Sequence, residues 1–488
     1  MNKKILLLTG VIINNTIIVR SITIKNMQNN LIIKEIEKQN QQWKDNVFWF
    51  NTKQYKRKLF YKIIKYLNEE QVLSIVGLRR TGKTTIIKQI MRYLMDKNHV
   101  NPQDILFISF DEALITSKLS LNNYLDAYLE KINATNNLKY IFLDEIQYVD
   151  KWQHILKRYY DTRGKIKFIV SGSSSLFIKK KTTESLVGRI YEFQLDHLDF
   201  QEFLEMAQIE KKLVEKYNKF VIADFNKIAY SQNEYQLFFA QYGTKIEKLF
   251  EDYLLYYQFP EIIAQTDKQK IYKYITDAVY KKTIEYDIPR LFDVDKVDEL
   301  KFIFQIFINE TSNIIEYTNI SSEAGVELNT LKKYIHYFHE SLLFDVVYNY
   351  SKSFRRSKRL QKKGYIASTN FFTAFHPECF EQNTISKQYL GKLVENYIYN
   401  ILKKKFQYIS FYKKGNNEID FICGNEYLNK QTIKLIEVKY VNDLSKEKFS
   451  FLKNIAQNVF KTSPYYIFSK NNFLYSKKEI IIPCFLIK

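Results

Sequence analysis

Residues Gly77-Leu78-Arg79-Arg80-Thr81-Gly82-Lys83-Thr84 fit the pattern G-x-x-x-x-G-K-[ST] in full. The flanks narrow the fold further. Val72-Leu73-Ser74-Ile75-Val76 reads as a buried strand, and Thr85-Ile86-Ile87-Lys88-Gln89-Ile90-Met91 has helical periodicity. Strand, glycine loop and helix N-terminus in succession form an anion cradle, because loop N–H groups and the positive helix end face one point. The cradle comprises Gly77, Arg79, Arg80, Thr81, Gly82, Lys83, Thr84 and Thr85. Lys83 is expected to reach the β- and γ-phosphates of a nucleotide, and the Thr84 hydroxyl to ligate Mg²⁺. The same letters can arise by chance on a βα turn; here pattern and flanks agree.

A second apolar run, Tyr140-Ile141-Phe142-Leu143, ends in Asp144-Glu145. A strand edge there would deliver Asp144 to the Mg²⁺ shell and leave Glu145 to polarise a water for attack on the γ-phosphate. The alternative is a helix N-cap. A third run, Ile166–Val170, leads into Ser171-Gly172-Ser173-Ser174-Ser175. These hydroxyls, Ser171 first, either read the γ-phosphate and position the water or cap the next helix. Ser185-Leu186-Val187-Gly188-Arg189 then precedes the alternating stretch Ile190–Leu195. Only 12 of the 74 basic residues are arginines. The planar guanidinium suits phosphate. Arg189 is therefore either a finger onto a neighbouring subunit's nucleotide, which requires homo-oligomers or transient self-association, or one half of a surface ion pair.

Strands at 72–76, 105–110, 140–144, 166–170 and 190–195 alternate with helical stretches. This βαβ rhythm predicts a parallel sheet with helices on both faces and a ligand at the carboxyl ends of the strands. Asp111-Glu112 falls at the same edge and either joins the water network or caps a helix. Residues 28–70 read as polar and helical, anchored by Trp43, Phe48, Trp49 and Phe50.

Beyond residue 199 the pattern changes. Residues 199–290 read as mostly helical. Helices at 298–309 and 328–340 flank a tight turn at Ala324-Gly325, and strands at 342–350 and 364–367 follow, which together suggest a winged helix. Between those strands lie Lys352, Arg355, Arg356, Lys358 and Arg359, with Lys362 and Lys363 close behind. Seven bases in twelve positions make the densest positive run of the chain. It is either a phosphate-contacting surface for DNA or a solvated wing. Farther on, Glu395 lies on an apolar-periodic helix, Asp420 on a strand, and Glu437 and Lys439 two apart on the next, hence on one face. Asp420, Glu437 and Lys439 with Glu395 resemble the PD-(D/E)xK nuclease signature. In it two carboxylates hold Mg²⁺ and the lysine activates a water or stabilises the phosphorane.

Taken together, the chain resembles the AAA-type ATPases of bacteria and archaea whose C-terminal half is a domain of unknown function related to restriction-type nucleases. The residues that carry this are Gly77–Thr84, Ile141–Gln147, Ile169–Ser175, Gly188-Arg189, Phe259-Pro260-Glu261, Gly391–Asn396, Glu418-Ile419-Asp420 and Ile436–Tyr440. The resemblance covers roughly residues 30 to 470. It implies ATP and Mg²⁺ as cofactors, with Walker A, Walker B, sensor 1 and arginine-finger positions; no arginine stands out as sensor 2. The expected fold is α/β: a P-loop AAA-like parallel-sheet domain (31–198) after an N-terminal extension (1–30). A helical lid (199–295), a winged-helix-like domain (296–370) and a PD-(D/E)xK-like α/β domain (371–488) follow. Three functions fit: an ATPase coupled to DNA, an ATP-gated nuclease of a restriction or defence type, and a nucleotide-dependent protein-interaction switch.

The formal charge of +21 favours an anionic partner such as DNA, although lysines on solvated helix faces account for part of it. Cys379, Cys423 and Cys484 are widely separated and make neither a metal spacing nor a disulfide framework. No run reaches the ~18 apolar residues of a membrane span. The apolar start Ile5–Leu8 is short and lacks a cleavage site, and Met27 is an alternative start. A cytoplasmic protein without membrane contact is expected.

Overall fold

The computed structural model describes residues 30–45, 55–110, 120–162, 165–173, 186, 188–225, 227–228, 230–380, 385–426 and 433–488. Met27, Phe48, Trp49, Phe50, Asp111, Glu112, Ser174 and Ser175 lie outside them. The chain divides into two compact units, Met1–Gly77 with Gly82–Leu195, and Leu78–Thr81 with Asp196–Lys488.

The first unit is built on five strands: β1 (Val72–Val76), β2 (Ile105–Ser109), β3 (Lys139–Asp144), β4 (Ile166–Gly172) and β5 (Ile190–Gln194). Their order is β2-β3-β4-β1-β5 and every pairing is parallel. Successive strand residues point to opposite faces, so each strand feeds two cores. Val72, Val76, Ile141, Leu143 and Val170 pack on one side with Trp152, Leu156 and Tyr159 of the helix Trp152–Thr162. Leu73, Ile75, Phe142 and Ile169 pack on the other with Ile86, Ile87, Ile90, Met91 and Leu94 of the helix Lys83–Asp96. The edge strand β2 is closed by a side chain: Asn40 donates to the Phe107 carbonyl (2.8 Å) and accepts from its N–H (2.7 Å). The strand order places the carboxyl ends of β3, β4 and β1 side by side.

The second unit contains the long helix Gln232–Leu255, started by a Ser231–Glu234 capping box. Helices Val297–Asn309, Tyr317–Glu323 and Leu328–Glu340 follow. Gly325 turns between the last two at φ +63°, a backbone region that favours glycine. Its strands are β6 (Ile314–Ile315), β7 (Phe344–Asn349), β8 (Lys362–Ile366), β9 (Tyr408–Lys414), β10 (Asn417–Gly424), β11 (Lys434–Lys439), β12 (Tyr465–Ser469), β13 (Leu474–Tyr475) and β14 (Glu479–Pro483). They form one mixed sheet in the order β13-β14-β12-β11-β10-β9-β7-β8-β6. The strands read as a wing therefore continue into the C-terminal strands, through parallel pairing of Tyr348 with Ser410 and of Asn349 with Phe411. The helix Lys387–Lys405 contributes Val394, Tyr397, Ile398 and Leu402 to the core beneath this sheet. No helix of the described residues is long and apolar enough to cross a membrane.

Candidate nucleotide site

The loop after β1 has the backbone its sequence demands. Gly82, at φ +99°, stands immediately before the helix Lys83–Asp96, and Arg80 also has positive φ, at +65°. Thr81 is fully buried and its hydroxyl donates to the Leu78 carbonyl (2.9 Å). The Lys83 ammonium, also buried, donates to the Gly77 carbonyl (2.9 Å) and so spans the loop from within. Thr85 is half-buried on the first helical turn.

Asp144, at the end of β3, is buried and receives two hydroxyls. Thr84 Oγ1 donates to its Oδ2 (2.6 Å), and Ser171 at the end of β4 donates to its Oδ1. Asp144 and the Thr84 hydroxyl form an oxygen donor set at a helix N-terminus, which fits Mg²⁺. Lys88, one turn into the helix, has its ammonium pulled below the usual range by burial, with the charge of Asp144 opposing.

Glu145 follows Asp144 in a left-handed conformation, φ +55°. Gln147 had no role assigned from sequence, yet its amide nitrogen donates to both Glu145 Oε2 and Ser173 Oγ, the latter at 3.1 Å. Among the described residues its buried Oε1 has no hydrogen-bond partner. A Cβ on Gly172 would lie 2.7 Å from that Oε1, so the glycine is what admits the glutamine. The available signal was a glutamine two places after the acid of Asp144-Glu145.

Arg79 and Arg80 are engaged by carboxylates. Arg79 pairs with the buried Asp287 through two bonds, 2.5 and 2.6 Å, while Arg80 meets Glu261 at 3.2 Å. Tyr274 donates to the other oxygen of Glu261 (2.8 Å). Arg189 is elsewhere. Its carbonyl accepts from Val72 N–H at the amino end of β1, one strand length, about 17 Å, from the loop. Its guanidinium lies 3.3 Å from Asp161 and 6.0 Å from the Tyr160 ring. Within one chain it does not join Lys83, Thr84 and Asp144.

Of the bases expected to contact DNA, Lys352, Arg355, Arg356, Lys358 and Arg359 are exposed, around a short helix at Phe354–Ser357. The Lys358 ammonium stands 3.8 Å over the Tyr348 ring. Lys363, counted in that run from sequence, is corrected by the structure. Strand alternation on β8 turns it inward, where its side chain is 4% exposed.

Two carboxylates of the possible second site, Glu395 and Asp420, lie beside that lysine. Lys363 donates to Glu395 Oε1 (3.0 Å), contacts Glu418 and lies 3.8 Å from Asp420 Oδ1. Tyr365 also donates to Glu395 Oε1 (2.8 Å). Asp420 Oδ2 accepts from the Val438 N–H (2.8 Å), and Lys439 pairs with Glu437 at 3.0 Å. Burial, aided by Asp420, pushes the Glu437 carboxyl above the usual range; burial also raises Glu395, against the pull of Lys363. Among the described residues, no group of three or more His, Cys, Asp and Glu side chains is arranged to hold a metal ion.

Residues 69–204 match the family described as AAA domain. Over that stretch the chain is similar to an AAA domain. Residues 247–374 and 390–487 match two further families, each described as a domain of unknown function (DUF8612 and DUF4143). Two relatives from Methanocaldococcus jannaschii, the uncharacterized proteins MJ1637 and MJ1544, are 26% identical over 386 residues and 27% over 390. The first alignment covers 77% of each chain, the second 77% of this chain and 76% of the relative. An uncharacterized protein of Haemophilus influenzae is 21% identical over 373 residues, covering 74% of this chain and 82% of its own. Among solved structures, the Walker-type ATPase paby2304 of Pyrococcus abyssi aligns with a TM-score of 0.35 at 14% identity, covering 66% of this chain and 95% of that one. The Aeropyrum pernix ORC1 protein in complex with DNA aligns with a TM-score of 0.31 at 10% identity, covering 69% and 97%.

Proposed function

We propose that this protein is a Mg²⁺-dependent ATP hydrolase whose turnover is coupled to DNA held at the exposed bases Lys352 to Arg359. The observation that carries the reading is the meeting of Thr84 and Ser171 on the two oxygens of Asp144, beside Lys83. Mg²⁺, when bound, neutralises charge on the phosphate oxygens. Lys83 exchanges its bond to the Gly77 carbonyl for one to phosphate. Thr84 and Asp144 hold the metal, Glu145 accepts the proton of the attacking water, and Gln147 orients Glu145. Ser171 keeps the Asp144 carboxylate aimed at the loop. Arg189 acts in trans, on the nucleotide of a neighbouring copy, which makes a homo-oligomer the working form. A cytoplasmic setting fits these cofactors.

ATP turnover measured with and without duplex DNA, with the DNA then run on a gel, tests this. Turnover that rises with DNA, and DNA recovered intact, is expected. Turnover indifferent to DNA would favour the protein-interaction switch, and cleaved DNA the nuclease.

A further inference from the structure

In the nuclease-like signature Glu395, Asp420 and Glu437 would hold a divalent cation, but here the Lys363 ammonium already stands beside two of those carboxylates, Glu395 and Asp420. The Lys363 stem crosses the sheet from β8, with the ammonium 5.7 Å from the Phe411 ring on β9. The ammonium ends between Glu395 on the helix Lys387–Lys405 and Glu418 and Asp420 on β10. Those carboxylates are themselves 14%, 24% and 11% exposed. So many acids this close and this dry require a counter-cation.

We propose that the Lys363 ammonium takes the place of a divalent cation in this cluster, so that the C-terminal sheet has no metal site and performs no metal-assisted phosphodiester cleavage. Mg²⁺ needs oxygens on a near-octahedral shell at about 2.0–2.1 Å. The ammonium already occupies the space between the Glu395 and Asp420 oxygens, at hydrogen-bond distance from the first, and repels a second cation. Asp420 Oδ2 accepts from the Val438 N–H and Glu437 Oε1 pairs with Lys439, while the buried Glu437 Oε2 has no hydrogen-bond partner among the described residues. The cluster then acts as a brace, tying β8, β10 and the helix Lys387–Lys405 together on one face of the nine-stranded sheet.

The test uses the full chain and two metal probes. Fe²⁺ with ascorbate and peroxide cuts the backbone beside the site where the iron sits. In the wild type with ADP, cutting is expected near Thr84 and Asp144 and absent between residues 418 and 438. Fragments from 418–438 that disappear in Asp420→Asn would overturn the proposal. In Lys363→Ala the vacated place should accept Mn²⁺. Its Tm should then rise with the logarithm of Mn²⁺ concentration, Fe²⁺ cutting should appear at 418–438, and adding Asp420→Asn should abolish both. If Lys363→Ala does not fold alone, Mn²⁺ in the refolding buffer should rescue it. A variant that neither gains Tm nor is rescued by Mn²⁺ shows that the ammonium does not stand in for a cation. The outcome is read only from cutting between residues 418 and 438 and from the Mn²⁺ response of Lys363→Ala, so it does not depend on the ATPase proposal, whose own metal site is reported separately by cutting near Thr84 and Asp144.

Discussion

Thr84 Oγ1 donates to Asp144 Oδ2 across 2.6 Å, joining the last residue of the P-loop pattern to the end of a strand sixty residues away. The bond exists because β3 and β1 flank β4, so both carboxyl ends reach the same edge. Lys83→Ala should abolish hydrolysis and weaken nucleotide binding. Glu145→Gln should bind ATP and lose turnover, since an amide cannot accept the proton. Equilibrium binding of a fluorescent ATP analogue and phosphate release separate the two. Normal turnover in both variants would remove the central claim.

Gly172 packs directly against the Gln147 amide. Gly172→Ala would place a Cβ against Gln147 Oε1 and displace the amide from Glu145 and Ser173. Misplacement on this scale costs about 10²-fold in rate. Turnover should fall by that order with nucleotide affinity retained. Wild-type turnover would show that Gln147 does not orient Glu145.

Arg189 offers a test of trans action. Arg189→Ala should keep ATP affinity and lose turnover, since a supplied arginine is worth about 10³–10⁵ in rate for related phosphoryl transfers. Mixing it with Glu145→Gln places the two defects on different copies, and some shared interfaces become intact. Recovery of turnover is expected. None at any ratio would assign Arg189 to its ion pair with Asp161.

Neutralising Arg355, Arg356, Lys358 and Arg359 together should weaken DNA binding equally on unrelated sequences, because phosphate contacts carry no base information. Each contact removed should lower the slope of log K against log salt by about 0.9 on duplex DNA. A slope unchanged from wild type would place DNA elsewhere.

His197 predicts an acid-side loss of stability. Its ring is buried, Nδ1–H donates to the Leu198 carbonyl (2.8 Å), and burial pushes its pKa down to about 4. The folded state thus resists a proton that the unfolded chain accepts near 6.5. Stability is full above that value and falls as pH drops from 6.5 towards 4, by about 3 kcal/mol from this group. Urea melts across that range should show the slope flattened in His197→Gln. An unchanged slope would assign the acid sensitivity to other groups.

The candidate nucleotide site was legible because its parts are local. A glycine loop between strand and helix, and carboxylates at the end of an apolar run, are each written within about ten residues. Gln147 was less so: its role depends on Gly172 leaving room, and both look ordinary in sequence. Arg189 was visible as a rare arginine, but nothing local shows that it lies at the amino edge of β1. The C-terminal elements were visible as alternating strands. Their union with β7 and β8 was not, because parallel pairing between distant segments leaves no local pattern.

By itself, then, the sequence determined the P-loop, the strand–helix alternation around it, and which residues are chemically fit to hold nucleotide and metal, since each depends on periodicity and short-range backbone preference. Only the tertiary structure decided which of these meet. It set β4 between β1 and β3, so that Ser171 and Thr84 converge on Asp144. It also turned Lys363 inward, to acids of which the nearest in sequence, Glu395, is 32 residues away. In the sequence Lys363 is one more base in a basic run. Its environment is set by strand order and by the packing of a distant helix, and burial among carboxylates is a property of three-dimensional contact that no local pattern encodes.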